Sequence, residues 1–399
     1  MIHDLASRED VDKSENGLRV ARPRFLAFTK RAIAYLVPKY TQPPPNLNNK
    51  QYLHSMATIT NAPSTHRAWQ YTSTKGGIDK NLKLNPSVST PAPARNQHLI
   101  QVIATALNPI DYKPASIPVI GWLIRPRITT PCSDVAGRLV TPAAGSSLKP
   151  GQLVFGAAGK NPIAGGALSE YAICQAEHLI PIPDGVKPTD AAAVPVAGLT
   201  AYQTIATRVK EGDKIFINGG SGGTGVFGIQ VAKAVGCHVT TSCSTPNIDL
   251  CKSLGADDVI DYKKQNLIDA LASKEYKFDH IVDNVGADPK LYWECHRFTK
   301  PGAQYIMVGA PSISLSFAFN ILKIKLLPRF LGGGQRKYSG FFTKASTHDL
   351  EQIGKWMSEG KIRPVIDHEF PFAEAPAAFE RLKTGRARGK IVISVSGSP

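Results

Sequence analysis

The sequence is poor in paired cysteines, in long apolar runs and in acidic charge. Its six cysteines, Cys132, Cys174, Cys237, Cys243, Cys251 and Cys295, form no C-x-x-C pair and no framework spacing, and no secretory signal leads the chain. A disulfide scaffold is thereby excluded, and free thiols in a reducing compartment are expected. No run approaches the roughly 20 apolar residues needed to span a bilayer, which argues against an integral helical membrane protein. The ten histidines are scattered without an H-x-x-x-H pair, and no four cysteines lie close together, so no metal centre is expected.

Acids number 31 against 47 lysines and arginines, a formal net charge of +16. The cations are spread along the chain, and no recognition helix, zinc module or aromatic RNA platform accompanies them. Nucleic acid is therefore not the expected partner; the phosphates of an anionic small molecule are.

What is present is a globular chain of 399 residues, 42% hydrophobic, which suits two domains. Residues 1–63 stand apart: an acidic start (Asp4, Glu9, Asp10, Asp12), the Arg-containing "RVARPRFLAFTKRAIAYLVPKY", then "TQPPPNLNNK". This extension reads as disordered or as a targeting helix; the acidic start argues against a transit peptide, and Met56 could equally be the true start. A cytoplasmic location is expected, with a mitochondrial one as the alternative.

From "HRAWQY" onward, short β-branched runs alternate with Pro/Gly turns ("HLIQVIATAL", "SDVAGRLV", "GQLVFGAA", "ALSEYAICQ"), which predicts an all-β unit. At "PTDAAAVPVAGLTAYQTIATR" the pattern becomes helical, and from Lys214 strands and helices alternate, which predicts βαβ units around a mainly parallel sheet. A closing strand, "KIVISV", could rejoin the first unit. The resulting fold class is α/β, with residues 64–195 and 340–399 expected in the β domain and 196–339 in the doubly wound one.

Within the second unit, "KIFIN" is a strand followed by Gly220, Ser221, Gly222, Gly223, Thr224 and Gly225 in G-x-G-x-x-G spacing, then by an amphipathic helix. Gly220 is expected to make the tight turn, Gly222 to admit a pyrophosphate, and Gly225 to let helix pack on strand. The helix N-terminus would add its N–H groups and dipole to the anion site. The next strand, "HVTTSC", should end at the adenosine ribose. There Ser242, Cys243, Ser244, Thr245 and Asn247 stand where an NAD site would place a carboxylate. Hydroxyls and an amide can donate to a 2′-phosphate, so NADP(H) is the expected cofactor, although "STPN" also resembles a helix cap.

The order of these units, with "ALNPIDYK", "SDVAG", "VAGLTAYQTI", "NGGSGGTG", "SLGADDVIDY" and "GRARGKIVI" between His66 and Val395, resembles the medium-chain dehydrogenase/reductases. The likeness narrows to their zinc-independent quinone oxidoreductase and enoyl reductase branch, including fungal stand-alone enoyl reductases. It implies a GroES-like β domain for substrate, a Rossmann domain for cofactor, and nicotinamide between them. Carried over by motif, Asn108 and Thr200 would lie near the nicotinamide, Ser244, Asn247 and Tyr262 around the 2′-phosphate, and Asn284 and Gly309 toward the nicotinamide ribose. Two departures stand out: Asn247 sits where some bacterial quinone reductases have Lys, with Lys252 available to compensate, and Cys132 occupies a position often given to Gly. The catalytic-zinc ligands of alcohol dehydrogenases are missing, Asn108-Pro109-Ile110-Asp111 standing where the first Cys would be.

Without a Lewis acid, hydride addition to an activated C=C bond or quinone is easier than ketone reduction. Lys113 is the candidate donor to the developing enolate oxygen, the alternatives being a surface lysine or a partner of Asp111. Tyr112 and Tyr202 are weaker candidates for proton relay, with water as the alternative. The apolar, cationic stretches "IPVIGWLIRPRI" and "SISLSFAFNILKIKLLPRFLGGGQRKYSGFF" would line a greasy pocket, cover a dimer surface or lie on an anionic membrane. A small hydrophobic carbonyl or quinone is the expected substrate, an acyl-carrier or polyketide synthase the runner-up partner, and monomer or homodimer are both left open. A binding protein that retains NADPH without turnover is the reading from another class.

Overall fold

The computed structural model describes residues 62–117, 120–309 and 315–395. The N-terminal extension, with its targeting and disorder readings, lies outside them. In chain order the strands are β1 (Thr65–Gln70), β2 (Lys83–Ser89), β3 (Gln97–Leu107), β4 (Asp134–Thr141), β5 (Leu153–Ala158), β6 (Tyr171–Pro181), β7 (Lys214–Asn218), β8 (His238–Cys243), β9 (Asp258–Asp261), β10 (Phe278–Asp283), β11 (Thr299–Met307), β12 (Lys337–Gly340), β13 (Ile366–Pro371) and β14 (Lys390–Ser394).

β3 through β6 pair antiparallel in sequence, and β3 closes them by pairing through Gln97–Gln101 with β6. Its other half, Ala104–Leu107, pairs antiparallel with Ile391–Ser394 of β14, so the last strand completes this sheet. The barrel interior is filled by alternating apolar side chains such as Ile100, Val102, Val135, Leu139 and Val154. A separate two-stranded ribbon, β1 and β2, precedes it.

The other sheet is wholly parallel, in the order β12-β11-β10-β7-β8-β9. Ile215, Phe216 and Ile217 of β7 are all buried, as befits a central parallel strand covered on both faces. The chain moves one way from β7 to β9 and then restarts on the other side at β10. That reversal leaves a crevice beyond the carboxyl ends of β7 and β10, where open α/β sheets bind ligands.

Between the sheets the structure departs from the single helix read at residues 188–208. Two helices form, Pro188–Ala192 and Pro195–Thr204, because Pro195 has no N–H with which to continue the first and is pre-set to start the second. Ala191 to Val194, Ala197 and Leu199 share one buried cluster with Ala104, Ala136 and Val392 of the barrel and Ile215, Val226 and Ile229 of the parallel unit. Apolar packing is thus continuous across the join.

Candidate active site

β7 ends at Asn218, and the chain turns at Gly219, whose φ of +80° lies in the left-handed region. The tight turn therefore belongs to Gly219, one residue before the glycine expected to make it. Gly220 is instead pressed on Thr241, and a Cβ at Gly225 would lie 2.1 Å from the Gly219 carbonyl oxygen. Helix Gly223–Val235 starts behind this turn, with Gly222 extended at its N-cap, and Ser221 to Thr224 stay partly open to solvent. Unpaired helix N–H groups and an open glycine rim form an anion cradle.

Ser244 and Asn247 follow β8. The Asn247 amide donates to Ser221 Oγ at 3.0 Å and to Ser244 Oγ at 3.2 Å, while its own Oδ1 is buried without a partner. Ser244 sits at the N-cap of a 3-10 turn but makes no side-chain capping bond, so its hydroxyl is not consumed as a cap. Tyr262 is 49% exposed, and the Lys263 ammonium stands 5.7 Å from its ring centroid. Ser242 is a correction: it is fully buried, its hydroxyl donates to Asn218 Oδ1 at 2.6 Å and accepts from Gly219 N–H at 3.0 Å. It braces the turn from below and does not face the groove.

Beneath the crevice, Asp283 closes β10. Its Oδ1 accepts from Asn218 Nδ2 at 2.8 Å and from the Val285 and Gly286 N–H groups, and its Oδ2 accepts from Tyr305 at 2.6 Å. The carboxylate thus fixes the following loop, in which both amide atoms of Asn284 are buried and unpartnered. Gly309 lies directly behind, since a Cβ there would meet the Asn284 carbonyl at 1.9 Å. Buried polar atoms are ordinarily satisfied, so the Asn284 amide and Asn247 Oδ1 carry unused hydrogen-bonding capacity that a polar ligand can take up. An elongated ligand with phosphate in the middle and polar groups at both ends fits this arrangement, as a nicotinamide dinucleotide does.

On the barrel side, Asn108 follows β3. Its Nδ2 donates to Asp134 Oδ2 at 2.8 Å, its Oδ1 accepts from Lys390 Nζ at 2.6 Å, and Lys390 also reaches Asp134 Oδ2 at 3.0 Å. The second Asp134 oxygen accepts from Val196 N–H, at the start of the helix that carries Thr200, at 2.8 Å. Thr200 itself is buried, bonded to the Val196 carbonyl and to the Thr343 hydroxyl. The lysine is 2% exposed and Asp134 fully buried. Breaking such a pair by removing one partner typically costs about 3–5 kcal/mol.

Asp111 is also fully buried and accepts from Asn108 N–H at 2.6 Å. Burial, more than any neighbour, pushes its carboxyl well above the usual carboxylate range. Lys113 is half-buried, and desolvation holds its ammonium below the ordinary lysine value. Tyr112 is partly buried against the barrel core, which raises its phenol. Cys132 is fully buried with a φ of +70°, which accounts for a position that glycine would fill without strain.

Residues 94–184 match the family described as alcohol dehydrogenase GroES-like domain, and residues 254–393 match that described as zinc-binding dehydrogenase. The chain is 47% identical over 348 residues to the trans-enoyl reductase pgmF of Aspergillus terreus, covering 84% of this chain and 97% of that one. It is 32% identical to the chloroplastic quinone-oxidoreductase homolog of Spinacia oleracea over 82% of this chain and 97% of its relative. Among solved structures, the quinone oxidoreductase from Coxiella burnetii superposes with a TM-score of 0.71 at 31% identity, over 83% of this chain and 99% of its own. The chain belongs to the medium-chain dehydrogenase/reductase family.

It is an oxidoreductase of the zinc-independent branch. Among the described residues no group of three or more His, Cys, Asp or Glu is placed to hold a metal ion. In this reductase the Asp134 carboxylate beside Asn108 is engaged by the Lys390 ammonium. The ring of Asn108, Asp134 and Lys390 went unread in the sequence, although all three residues stood inside quoted motifs. The available signal was a lysine opening the otherwise apolar strand "KIVIS". The apolar stretches of the reductase lie partly on its surface: Trp122, Leu123, Phe319, Leu326, Phe330 and Leu331 are each more than half exposed.

Proposed function

We propose that this reductase uses NADPH to reduce an activated C=C bond, with an α,β-unsaturated thioester or carbonyl compound, or a quinone, as acceptor. The observation that carries the reading is the crevice itself. The glycine-turn anion cradle, the unpartnered Asn284 amide and the Asn247 Oδ1 all follow the carboxyl ends of β7, β10 and β8, where the sheet reversal opens it. Glycines 222 and 223 with Ser221 and Thr224 would hold the pyrophosphate, and Asn284 and Gly309 the nicotinamide ribose. Ser244, Asn247, Tyr262 and Lys263 would surround the 2′-phosphate. When bound, the reduced nicotinamide supplies the hydride.

The chain's own residues then bind, orient and stabilise. Asn108 and Thr200 border the nicotinamide. Lys113 donates to the acceptor's carbonyl oxygen as it gains enolate charge, and its partial burial strengthens that interaction relative to water. The trans-enoyl reductase name of the 47% identical relative supports a carrier-bound enoyl thioester, delivered by a polyketide synthase, as the acceptor to test first.

Turnover of NADPH over a panel of enoyl thioesters, alkenals and quinones tests the reading. Stoichiometric NADPH binding without turnover on any of them would move the protein to a binding role. Lys113→Ala should lower kcat about 100-fold with NADPH affinity nearly unchanged. Unaltered turnover would return Lys113 to a surface role. Cofactor choice has its own test: Ser244→Asp places a carboxylate at the ribose and should shift the NADPH-to-NADH efficiency ratio toward NADH by about tenfold or more. Comparable efficiency of the wild type with both cofactors would sink the NADP assignment.

A further inference from the structure

The ring of Asn108, Asp134 and Lys390 ties together the three pieces that must meet at the nicotinamide. Asn108 follows barrel strand β3. Asp134 opens β4 and, through its other oxygen, accepts from the first turn of the Thr200 helix. Lys390 opens β14, and its stem lies against the glycine turn: a Cβ on Gly223 would meet Lys390 Cδ at 3.3 Å. Its neighbour Gly389 donates its N–H to the Ser221 carbonyl at 2.9 Å. One carboxylate and one ammonium thus register barrel, helix and cofactor cradle against each other. The ring also uses both ends of the Asn108 amide, so the orientation of that side chain is dictated by its partners and not by any ligand.

We propose that Asp134 and Lys390 are positioning residues that hold Asn108 and the Thr200 helix at the distance productive for reduction, without themselves touching the acceptor. The inference rests on the cofactor reading above. Its consequence is a separation of binding from reactivity. The pyrophosphate cradle is built from backbone and survives loss of the ring, whereas the nicotinamide end loses its fixed wall. Small displacements at a reacting centre cost far more in rate than in affinity.

The test is the double variant Asp134→Asn with Lys390→Met, which removes both charges at nearly constant volume and leaves no buried ion unpaired. Expected are NADPH affinity by fluorescence titration within about threefold of wild type and kcat lowered by about tenfold or more. The lifetime of bound nicotinamide fluorescence should shorten toward the free value, and the primary isotope effect with 4-deuterated NADPH should change. Lys390→Arg keeps the charge and the fold, but its longer planar head cannot close the same ring; it should show the same pattern to a smaller degree, and it decides the matter should the double variant not fold. An unchanged lifetime and isotope effect would overturn the proposal, as would lost NADPH affinity with unchanged kcat. If the wild type binds NADPH but reduces no acceptor, the functional reading fails while the lifetime still decides positioning. A wild type that does not bind NADPH overturns both.

Discussion

Two turns are joined through Lys390, and they are held by opposite means. Gly219 to Gly225 is shaped by what is missing: side chains there would strike Thr241, the Gly219 carbonyl or Val285. Asn108 to Lys113 is shaped by what is present: a buried carboxyl under its own N–H, and an amide locked between an acid and a lysine. At Gly219, Gly220 and Gly225 the glycine turn has no room for a Cβ. A turn made of side chains tolerates substitutions that preserve shape and charge balance, and fails when a single partner goes.

Breaking the first turn should give the largest effect. Gly225→Ala puts a methyl group 2.1 Å from the Gly219 oxygen and 2.7 Å from Gly220 Cα, both backbone atoms that can move only by opening the cradle. Overpacking of this kind costs about 1–3 kcal/mol. Thermal denaturation should register that loss, and NADPH titration a much larger one, because the anion site itself deforms. Wild-type affinity in this variant would show that helix and strand have slack here.

The second turn should answer to pH. Desolvation raises the Asp111 carboxyl in the folded state, so its contribution to stability is complete below the unfolded value of about 3.9 and is lost as pH rises through the higher folded value. Asp111→Asn keeps an acceptor for the Asn108 N–H and has no such titration. Denaturant melts at several pH values should show the wild type losing stability relative to Asp111→Asn as pH rises. A gap independent of pH would mean that Asp111 does not titrate in the folded protein.

The smallest effect sharpens the contrast from the opposite side. Cys132 is a side chain held at a glycine-like φ. Cys132→Gly loses a buried thiol but gains back about 1–2 kcal/mol of left-handed strain, so melting should shift by only a few degrees. Cys132→Ala loses the thiol and keeps the strain, and should be the less stable of the two. The reverse order would show that packing outweighs the backbone there.

Legibility followed the same division. The glycine turn, the alternation of strands and helices and the missing carboxylate after β8 are local patterns, readable from a few neighbouring residues. Even so, five glycines between 219 and 225 admit more than one frame, which is why the left-handed residue proved to be Gly219. Ser242 was misplaced because β8 is buried on both faces, so no alternation marks which hydroxyl looks outward. The Asn108 ring joins residues 26, 256 and 282 positions apart, and only the folded barrel brings them together.

That separation also sets a timetable. Every strand of the parallel sheet lies between residues 214 and 340, so this half can pair as soon as it leaves the ribosome. β3 is made early and pairs with β4, but the partner for the other edge of its second half arrives with Ile391 to Ser394. At about 5–20 residues per second, synthesis of the intervening stretch takes roughly 14–60 s. Through that interval Asp134 and Asn108 have no Lys390, and the Ala104–Leu107 edge stands unpaired as a template for other strands. The barrel face of the active site therefore comes into existence after the parallel half, and depends the more on protection while it waits.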